Sequence, residues 1–264
     1  MNKIAFIGAG NMGGAIIAGL VSAKACDACD IYVCDKALRD DIASLGVTAA
    51  SLKDAVDCCD VVVLAVKPNV IFDVIASIKK ECNTDGKVFV SIAAGVKLSA
   101  LSEALGTCKL VRVMPNLCLQ ALEGMSVICA DQSVTESELC DVQKIFASSG
   151  KTIITKESLI DSCTAINGSG PAYVFMFIEA LADAAVKHGI DRATAYELST
   201  QTVLGSAAMV QSTGLHPAVL KDMVCSPGGT TIEAVKALEA TGLRASVMAA
   251  VDACAEKASK MGSK

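Results

Sequence analysis

The opening twenty residues, MNKIAFIGAGNMGGAIIAGL, constrain the fold of this chain more than any other stretch. Ile4-Ala5-Phe6-Ile7 is a short apolar run suited to a strand buried on both faces. Gly8, Ala9, Gly10, Asn11, Met12 and Gly13 then spell G-x-G-x-x-G, and Ile16, Ile17, Leu20 and Val21 fall on one face of a following helix. Strand, glycine turn and helix are what a dinucleotide pyrophosphate requires. Gly8 permits the tight turn, Gly10 lets the backbone approach the phosphates, and Gly13 lets helix and strand pack closely. The first helical N–H groups, at Asn11 and Met12, and the positive end of the helix dipole then face the anion. Glycines also serve ordinary turns, so the flanking strand and helix carry the specificity of this signal.

Asp30 to Asp35 reads as a second strand, and Asp35 falls 22 residues after Gly13. An acidic side chain there would bind the adenosine ribose hydroxyls of NAD, whereas Lys36, next in line, could bind the 2′-phosphate of NADP. Both also suit a solvated strand end, so the choice between NADPH and NADH stays open here. Gly46 to Ala49 is a short third strand, and Asp60 to Val66 a fourth, almost continuously apolar and therefore central. Ala65, Val66, Lys67 and Pro68 turn at the carboxyl edge of the sheet, where open α/β sheets bind ligands, and Pro68 can start a helix. Lys67 serves either the cofactor or a solvated turn. Lys87 to Ile92 delivers Ala93-Ala94-Gly95 to the same edge, where small residues let a flat nicotinamide lie against the backbone. Lys109–Met114, Met125–Ala130 and Lys151–Thr155 complete the strands, with an amphipathic helix from Thr135 to Ala147. This alternation predicts a Rossmann-type doubly wound, mostly parallel sheet over residues 1–156.

From Ser158 onward only helical patterns remain, which predicts an all-helical domain over 157–264. Pro171 kinks or restarts a helix after Gly168-Ser169-Gly170. Asp191 caps a helix to about Gln211, with Gly214 as its left-handed stop. Pro217 starts a short helix to Val224, Thr230-x-x-Glu233 has capping-box form, and a last helix runs from Leu243 to Lys260. These helices carry few charges and abundant Ala, Val, Leu and Met. A hundred such residues cannot bury every helix face, so a second copy of the chain is the natural cover, predicting a homodimer or larger assembly through residues 160–264.

The net charge of −5 gives no general attraction to nucleic acid or to an anionic membrane. The longest uncharged stretch, Leu198–Leu220, contains Ser, Thr, Gln, His and Pro and is not expected to span a membrane. Lys3, an apolar run and Ala23-Lys24-Ala25 imitate a secretory signal, but the glycine fingerprint inside that run accounts for it better. Thirteen scattered cysteines hold one C-x-x-C, Cys26 to Cys29, with no second pair to complete a zinc site. They are expected to be small buried apolar residues in a reducing, cytoplasmic compartment, and no metal is expected.

The second informative stretch is Lys221-Asp222-Met223-Val224-Cys225-Ser226-Pro227-Gly228-Gly229-Thr230-Thr231. Free N–H groups, hydroxyls and a helix dipole converge there on a spot suited to a small carboxylate; a well-capped helix connection would use similar residues. The run from His216-Pro217 through Ser226–Thr231 to Leu238-Glu239 closely resembles the signature of pyrroline-5-carboxylate reductases. Val66-Lys67-Pro68, Ala93-Ala94-Gly95, Arg112-Val113-Met114-Pro115-Asn116 and Gly168-Ser169-Gly170-Pro171-Ala172-Tyr173 resemble that family's other motifs, in its order. The resemblance spans nearly the whole chain.

It implies NAD(P)H-dependent reduction of the cyclic imine Δ1-pyrroline-5-carboxylate to L-proline. By similarity, Ser226, Gly228, Gly229, Thr230 and Thr231 hold the substrate carboxylate, and the Thr231 hydroxyl hydrogen-bonds the imine nitrogen as the catalytic group. It also implies dimers through the helical domain, often rings of dimers, with this loop facing a partner's cofactor domain. The chain departs from the family at Cys118, where a proline is usual, and at Asp35, where many NADPH-preferring members carry small or amide residues. A β-hydroxyacid dehydrogenase would place a catalytic lysine in a glycine-rich helix, and Gly168–Tyr173 contains none. A nucleotide sensor without catalysis would need the fingerprint but have no use for Ser226–Thr231, and a reductase of a related cyclic imine would share both.

Overall fold

A computed structural model describes residues 3–261. The described residues form an eight-stranded sheet in the order β3-β2-β1-β4-β5-β6-β7-β8. Its strands are β1 (Ile4–Ile7), β2 (Ile31–Cys34), β3 (Thr48–Ala49), β4 (Val61–Leu64), β5 (Val88–Ser91), β6 (Lys109–Met114), β7 (Gly124–Ala130) and β8 (Gly150–Ile154). All neighbours are parallel except β6 and β7, which pair antiparallel with Met114 opposite Val127. The doubly wound, mostly parallel expectation holds, and each predicted strand is present.

Six helices flank the sheet: α1 (Asn11–Ser22), α2 (Asp40–Ala43), α3 (Leu52–Cys58), α4 (Ile71–Glu81), α5 (Leu98–Leu105) and α6 (Glu136–Ala147). The two-residue period of a strand divides the core between the sheet's two faces. Ile4 and Phe6 of β1 join Ile16, Ile17 and Leu20 of α1 and Phe146 of α6 on one face. Ala5 and Ile7 join Val56, Ile71, Ile75 and Leu101 on the other. Burial on both faces is why the parallel strands read as unbroken apolar runs. α6 starts with a capping box, in which the Glu138 side chain accepts from the Thr135 backbone N–H and the Thr135 hydroxyl accepts from Glu138 N.

Helices α7 (Glu157–Cys163), α8 (Gly170–Lys187), α9 (Arg192–Thr213), α10 (Pro217–Val224), α11 (Thr230–Ala240) and α12 (Leu243–Met261) follow. A π-helical turn, Thr164–Gly168, joins α7 to α8, so Pro171 sits in the first turn of α8 and restarts a helix rather than kinking one. Asp191 caps α9 through Thr194 N, and Gly214 ends it at φ +65°. His216 Nδ1 accepts from Ala218 N ahead of Pro217. The Thr230 capping box is not formed. Gly229 takes the N-cap position, so Thr230 is already helical and its side chain caps nothing.

The chain divides into two compact units, one running through Ser169 and resuming from Cys254, the other Gly170–Ala253. The sequence-based boundary at residue 156 marks the N-cap of α7, just after the last strand. The second unit has little core: among its described residues Ala182, Ala195 and Ser199 are buried, while Phe175, Met176, Leu198, Leu204 and Met248 stand exposed. The helical run Glu157–Lys187 is long and apolar enough by length and composition to cross a membrane, and only 6% of its most apolar window is buried. The thiols also depart from expectation. Cys59 and Cys129 are buried, Cys29, Cys58 and Cys140 are exposed, and the rest are half-buried. Burial pushes the Cys59 thiol up to about 12, which keeps it protonated and inert.

One charged anchor lies in the first unit. Arg112, 3% exposed on β6, donates to Glu157 Oε1 at 3.3 Å and to Asp161 Oδ1 at 3.0 Å, both on α7. Glu157 Oε1 also accepts the Leu98 N–H at 2.7 Å, tying the start of α5 into the same cluster. Breaking a buried pair costs about 3–5 kcal/mol, and the partial exposure of both carboxylates favours the lower end. Arg112→Met should therefore lower the unfolding free energy by about 3 kcal/mol, read from the urea midpoint; an unmoved midpoint would mean that the cluster contributes nothing.

Candidate active site

The glycine turn sits at the carboxyl end of β1, where the strand order reverses between β1 and β4. In open α/β sheets this switch point is the ligand crevice. Gly8 has φ +98°, and a Cβ there would lie 2.7 Å from the Ala65 carbonyl oxygen. Only glycine fits the turn and the approach of the β4 end. A Cβ on Gly13 would lie 2.6 Å from the Gly8 carbonyl, so close packing of α1 on the turn needs glycine there too. Gly10 differs: its missing Cβ meets nothing within 4 Å. That open space, at the start of a helix without a side-chain cap or an acidic residue in its first turn, fits a pyrophosphate.

Next to this turn lies a cleft of about 580 Å³. It is lined by Gly8, Gly10, Asp35, Lys36, Ala65, Val66 and Lys67 among the residues expected from sequence. Asp35 is braced by the backbone, with Oδ2 accepting the Ala9 N–H at 2.6 Å and Oδ1 the Ala37 N–H at 2.9 Å. Asn11 and Met12 lie at the start of α1, outside the cleft lining, as does Gly13. Pro68 does not start a helix. It is the second residue of a turn closed by Val70 N donating to Lys67 O at 2.9 Å, and α4 begins only at Ile71. Ala93 is buried at 4% exposure, away from the cleft wall.

Sequence reasoning missed the far wall, formed by Leu52, Val70, Asp73, Val74 and Ser77. A signal exists in hindsight: Val70, the N-cap of α4, is followed on one stripe by Val74 and Ser77 at i+4 and i+7, beside the buried stripe Ile71, Ile75, Ile78. The Arg112–Asn116 motif acts as scaffold here. Asn116 Oδ1 accepts the Met125 N–H at 3.1 Å, and Asn167 Nδ2 donates to the carbonyls of Met114 and Met125. Two asparagines thus clamp the chain where β6 gives way to β7.

In the second unit, Ser226-Pro227-Gly228-Gly229 is a tight turn, closed by Gly229 N donating to Ser226 O at 3.1 Å. Pro at its second position and Gly228 at φ +67° in its third are the type II pattern. Ser226 Oγ packs where a Cβ on Gly229 would stand, at 2.3 Å from it. The turn feeds straight into α11, whose first turn carries the Thr230 and Thr231 hydroxyls and no side-chain cap. Ser226, Gly228 and Thr230 are exposed, and Gly229 and Thr231 half-buried. Uncapped N–H groups with two adjacent hydroxyls can hold a carboxylate. Among the described residues no cluster of three or more His, Cys, Asp or Glu could hold a metal ion.

The glycines separate steric from ligand roles. Gly13→Ala should destabilise the fold by roughly 1–3 kcal/mol, because its Cβ meets backbone. Gly10→Ala should leave stability within about 1 kcal/mol yet weaken dinucleotide binding about tenfold or more. Thermal melts and nucleotide-fluorescence titrations check the pair; unchanged binding in Gly10→Ala would remove the pyrophosphate from this turn.

Comparison with known proteins identifies the family. Residues 157–261 match the family described as pyrroline-5-carboxylate reductase dimerisation, and residues 3–95 match that described as NADP oxidoreductase, coenzyme F420-dependent. The chain is 45% identical to the pyrroline-5-carboxylate reductase of Escherichia coli over 98% of each chain. The crystal structure of the Plasmodium falciparum enzyme with NADP bound superposes with a TM-score of 0.89 at 34% identity, covering 99% of this chain and 98% of that one. The Coxiella burnetii enzyme gives a TM-score of 0.92 at 34% identity, with 98% of each chain covered. Full-length identity of this order, on a sheet, a glycine turn and a Ser226–Thr231 loop that are all intact, makes this chain a member of the pyrroline-5-carboxylate reductase family.

Proposed function

We infer that this protein is an oxidoreductase that reduces Δ1-pyrroline-5-carboxylate to L-proline with NADPH or NADH, the last step of proline biosynthesis. The observation that carries the reading furthest is the uncapped start of α11 behind the Ser226–Gly229 turn, a carboxylate cradle with the Thr231 hydroxyl in the same first turn. Full-length likeness to named reductases supports the same reaction.

When bound, NAD(P)H supplies a hydride to the imine carbon. Gly8, Gly10 and Gly13, with the first N–H groups of α1 at Asn11 and Met12, would hold its pyrophosphate. Asp35 and Lys36 would meet its adenosine end, and the turn Ala65–Pro68 would bound the rest of its path along the sheet edge, with Ala93 buried behind it. The backbone amides of Gly228, Thr230 and Thr231, with the Ser226 and Thr230 hydroxyls, would orient the substrate carboxylate and so fix the ring, while Gly229 closes the turn that aims them. The Thr231 hydroxyl hydrogen-bonds the ring nitrogen. A protonated imine is far more electrophilic at carbon, and it arrives carrying the proton that the product amine keeps. The residues therefore supply orientation and one hydrogen bond rather than a strong acid.

Residues 1–156 would bind cofactor and 157–264 substrate, and the second part is also the self-association surface. Its exposed Phe175, Met176, Leu204 and Met248, on helices with almost no core of their own, support a homodimer through the helical part, extended where geometry allows into a ring of dimers. Thirteen free thiols suit a reducing, cytoplasmic location.

Following absorbance at 340 nm with pyrroline-5-carboxylate, and with pyruvate as control, the protein should oxidise reduced cofactor with the imine alone. Thr231→Ala should lower kcat/KM by about 10- to 100-fold, the worth of one hydrogen bond to a charged group, leave cofactor binding unchanged, and be partly rescued by Thr231→Ser. Cofactor binding with no imine turnover would instead identify a nucleotide sensor. Light scattering should give a dimer or a multiple of it at micromolar concentration; a stable monomer would remove the interface.

A further inference from the structure

The end of β2 carries an inference that rests on the NAD(P)H reading and deepens it: we propose that Asp35 makes this chain prefer NADH to NADPH. The carboxylate's lone pairs decide the matter. An ionised carboxylate offers about four acceptor positions and no donor. Asp35 Oδ2 already accepts from Ala9 N at 2.6 Å, and Oδ1 from Ala37 N at 2.9 Å. One acceptor position remains on each oxygen, and the side chain lines the cleft beside Gly8 and Gly10. A ribose with free 2′ and 3′ hydroxyls brings two O–H donors to those two acceptors. A 2′-phosphate brings oxygens that mostly accept, with close to two negative charges of its own. It would face a carboxylate fixed in place by two backbone bonds, with little proton to share.

The groups that could reverse this outcome are otherwise engaged or loosely held. Arg39, the nearest arginine along the chain, pairs on the surface with Asp41, its Nε donating to Oδ1 at 3.0 Å and its Nη2 to Oδ2, so its charge is matched there by a carboxylate. The Ala37 N–H, a backbone donor on the same corner, is spent on Asp35. Lys36 is exposed, a flexible point charge in high dielectric, where its pull on a phosphate is screened. Lys67 enters the cleft wall from the β4 turn and is likewise exposed. The fixed charge at this corner is therefore negative, and it excludes the doubly charged substituent while pairing with the diol.

The test is a fluorescence titration of the purified full-length protein with NADH and with NADPH, in the absence of imine. NADH should bind about tenfold or more tightly than NADPH. Asp35→Ser should raise NADPH affinity and lower NADH affinity, and Asp35→Asn, which keeps size and one acceptor while removing the charge, should also raise NADPH affinity. A gain for NADPH cannot come from a damaged loop, because damage weakens both nucleotides together. Equal binding by the wild type, tighter binding of NADPH, or a proportional loss of both in folded variants overturns the proposal. Binding of neither nucleotide to the folded protein overturns it along with the cofactor reading. Imine turnover plays no part in the titration, so a failure of the proposed reaction is read separately, from the 340 nm assay.

Discussion

The approach of the Gly8 turn to the end of β4 is the contact on which the first unit depends. With 2.7 Å between a would-be Cβ and the Ala65 carbonyl, β1, its turn and β4 can come together only around glycine. The same turn sets where α1 begins, and Gly13 lets that helix lie against the turn it leaves. Strand register follows from the pairing of β1 with both β2 and β4, Ile4 standing opposite Ile31 on one side and Val61 on the other. A single backbone packing problem thus creates the switch point, aims the free N–H groups of α1 and opens the cleft. The cleft is what remains when the glycines have solved it.

Charge is used sparingly within that frame. Asp35 serves twice, tying the glycine turn to β2 through Ala9 and presenting its remaining lone pairs to the cleft. Arg112 serves once, locking α7 and the start of α5 beneath the sheet through Glu157 and Asp161. Both side chains are held by several partners, which is how a protein keeps a charge in a fixed place. The exposed ion pairs elsewhere, such as Lys236 with Glu233, have no such support and contribute little.

The two units solve burial differently. Around the sheet, both faces of β1, β4 and β5 are sealed by helices, and the core is complete within one chain. Gly170–Ala253 exposes its Phe, Met and Leu side chains instead, so the free energy of covering them is left to a second copy. Stability and assembly are then coupled in this half, as expected of a family whose matching segment is described by its dimerisation.

Much of this was legible in the residues because parallel strands buried on both faces write themselves as apolar runs, and because Pro217, Gly214 and Asp191 act within one turn of their own position. The glycine fingerprint and the Ser226–Thr231 loop were legible for the same local reason. Elsewhere a pattern named a possibility that backbone geometry decided. Thr135-x-x-Glu138 forms its capping box and Thr230-x-x-Glu233 does not, since the Gly228-Gly229 turn already supplies the cap position. Pro68 became the corner of a turn because Val70 N reaches Lys67 O before α4 begins. The antiparallel pairing of β7, the far wall of the cleft and the burial of Arg112 needed the tertiary structure outright. Each joins residues more than a dozen positions apart, and no side chain's own preference records which distant partner it will meet. The sequence by itself determined the order of elements, the two glycine turns and the reaction class. The folded structure decided which lone pairs, faces and walls those elements present, because that depends on long-range packing rather than on local conformation.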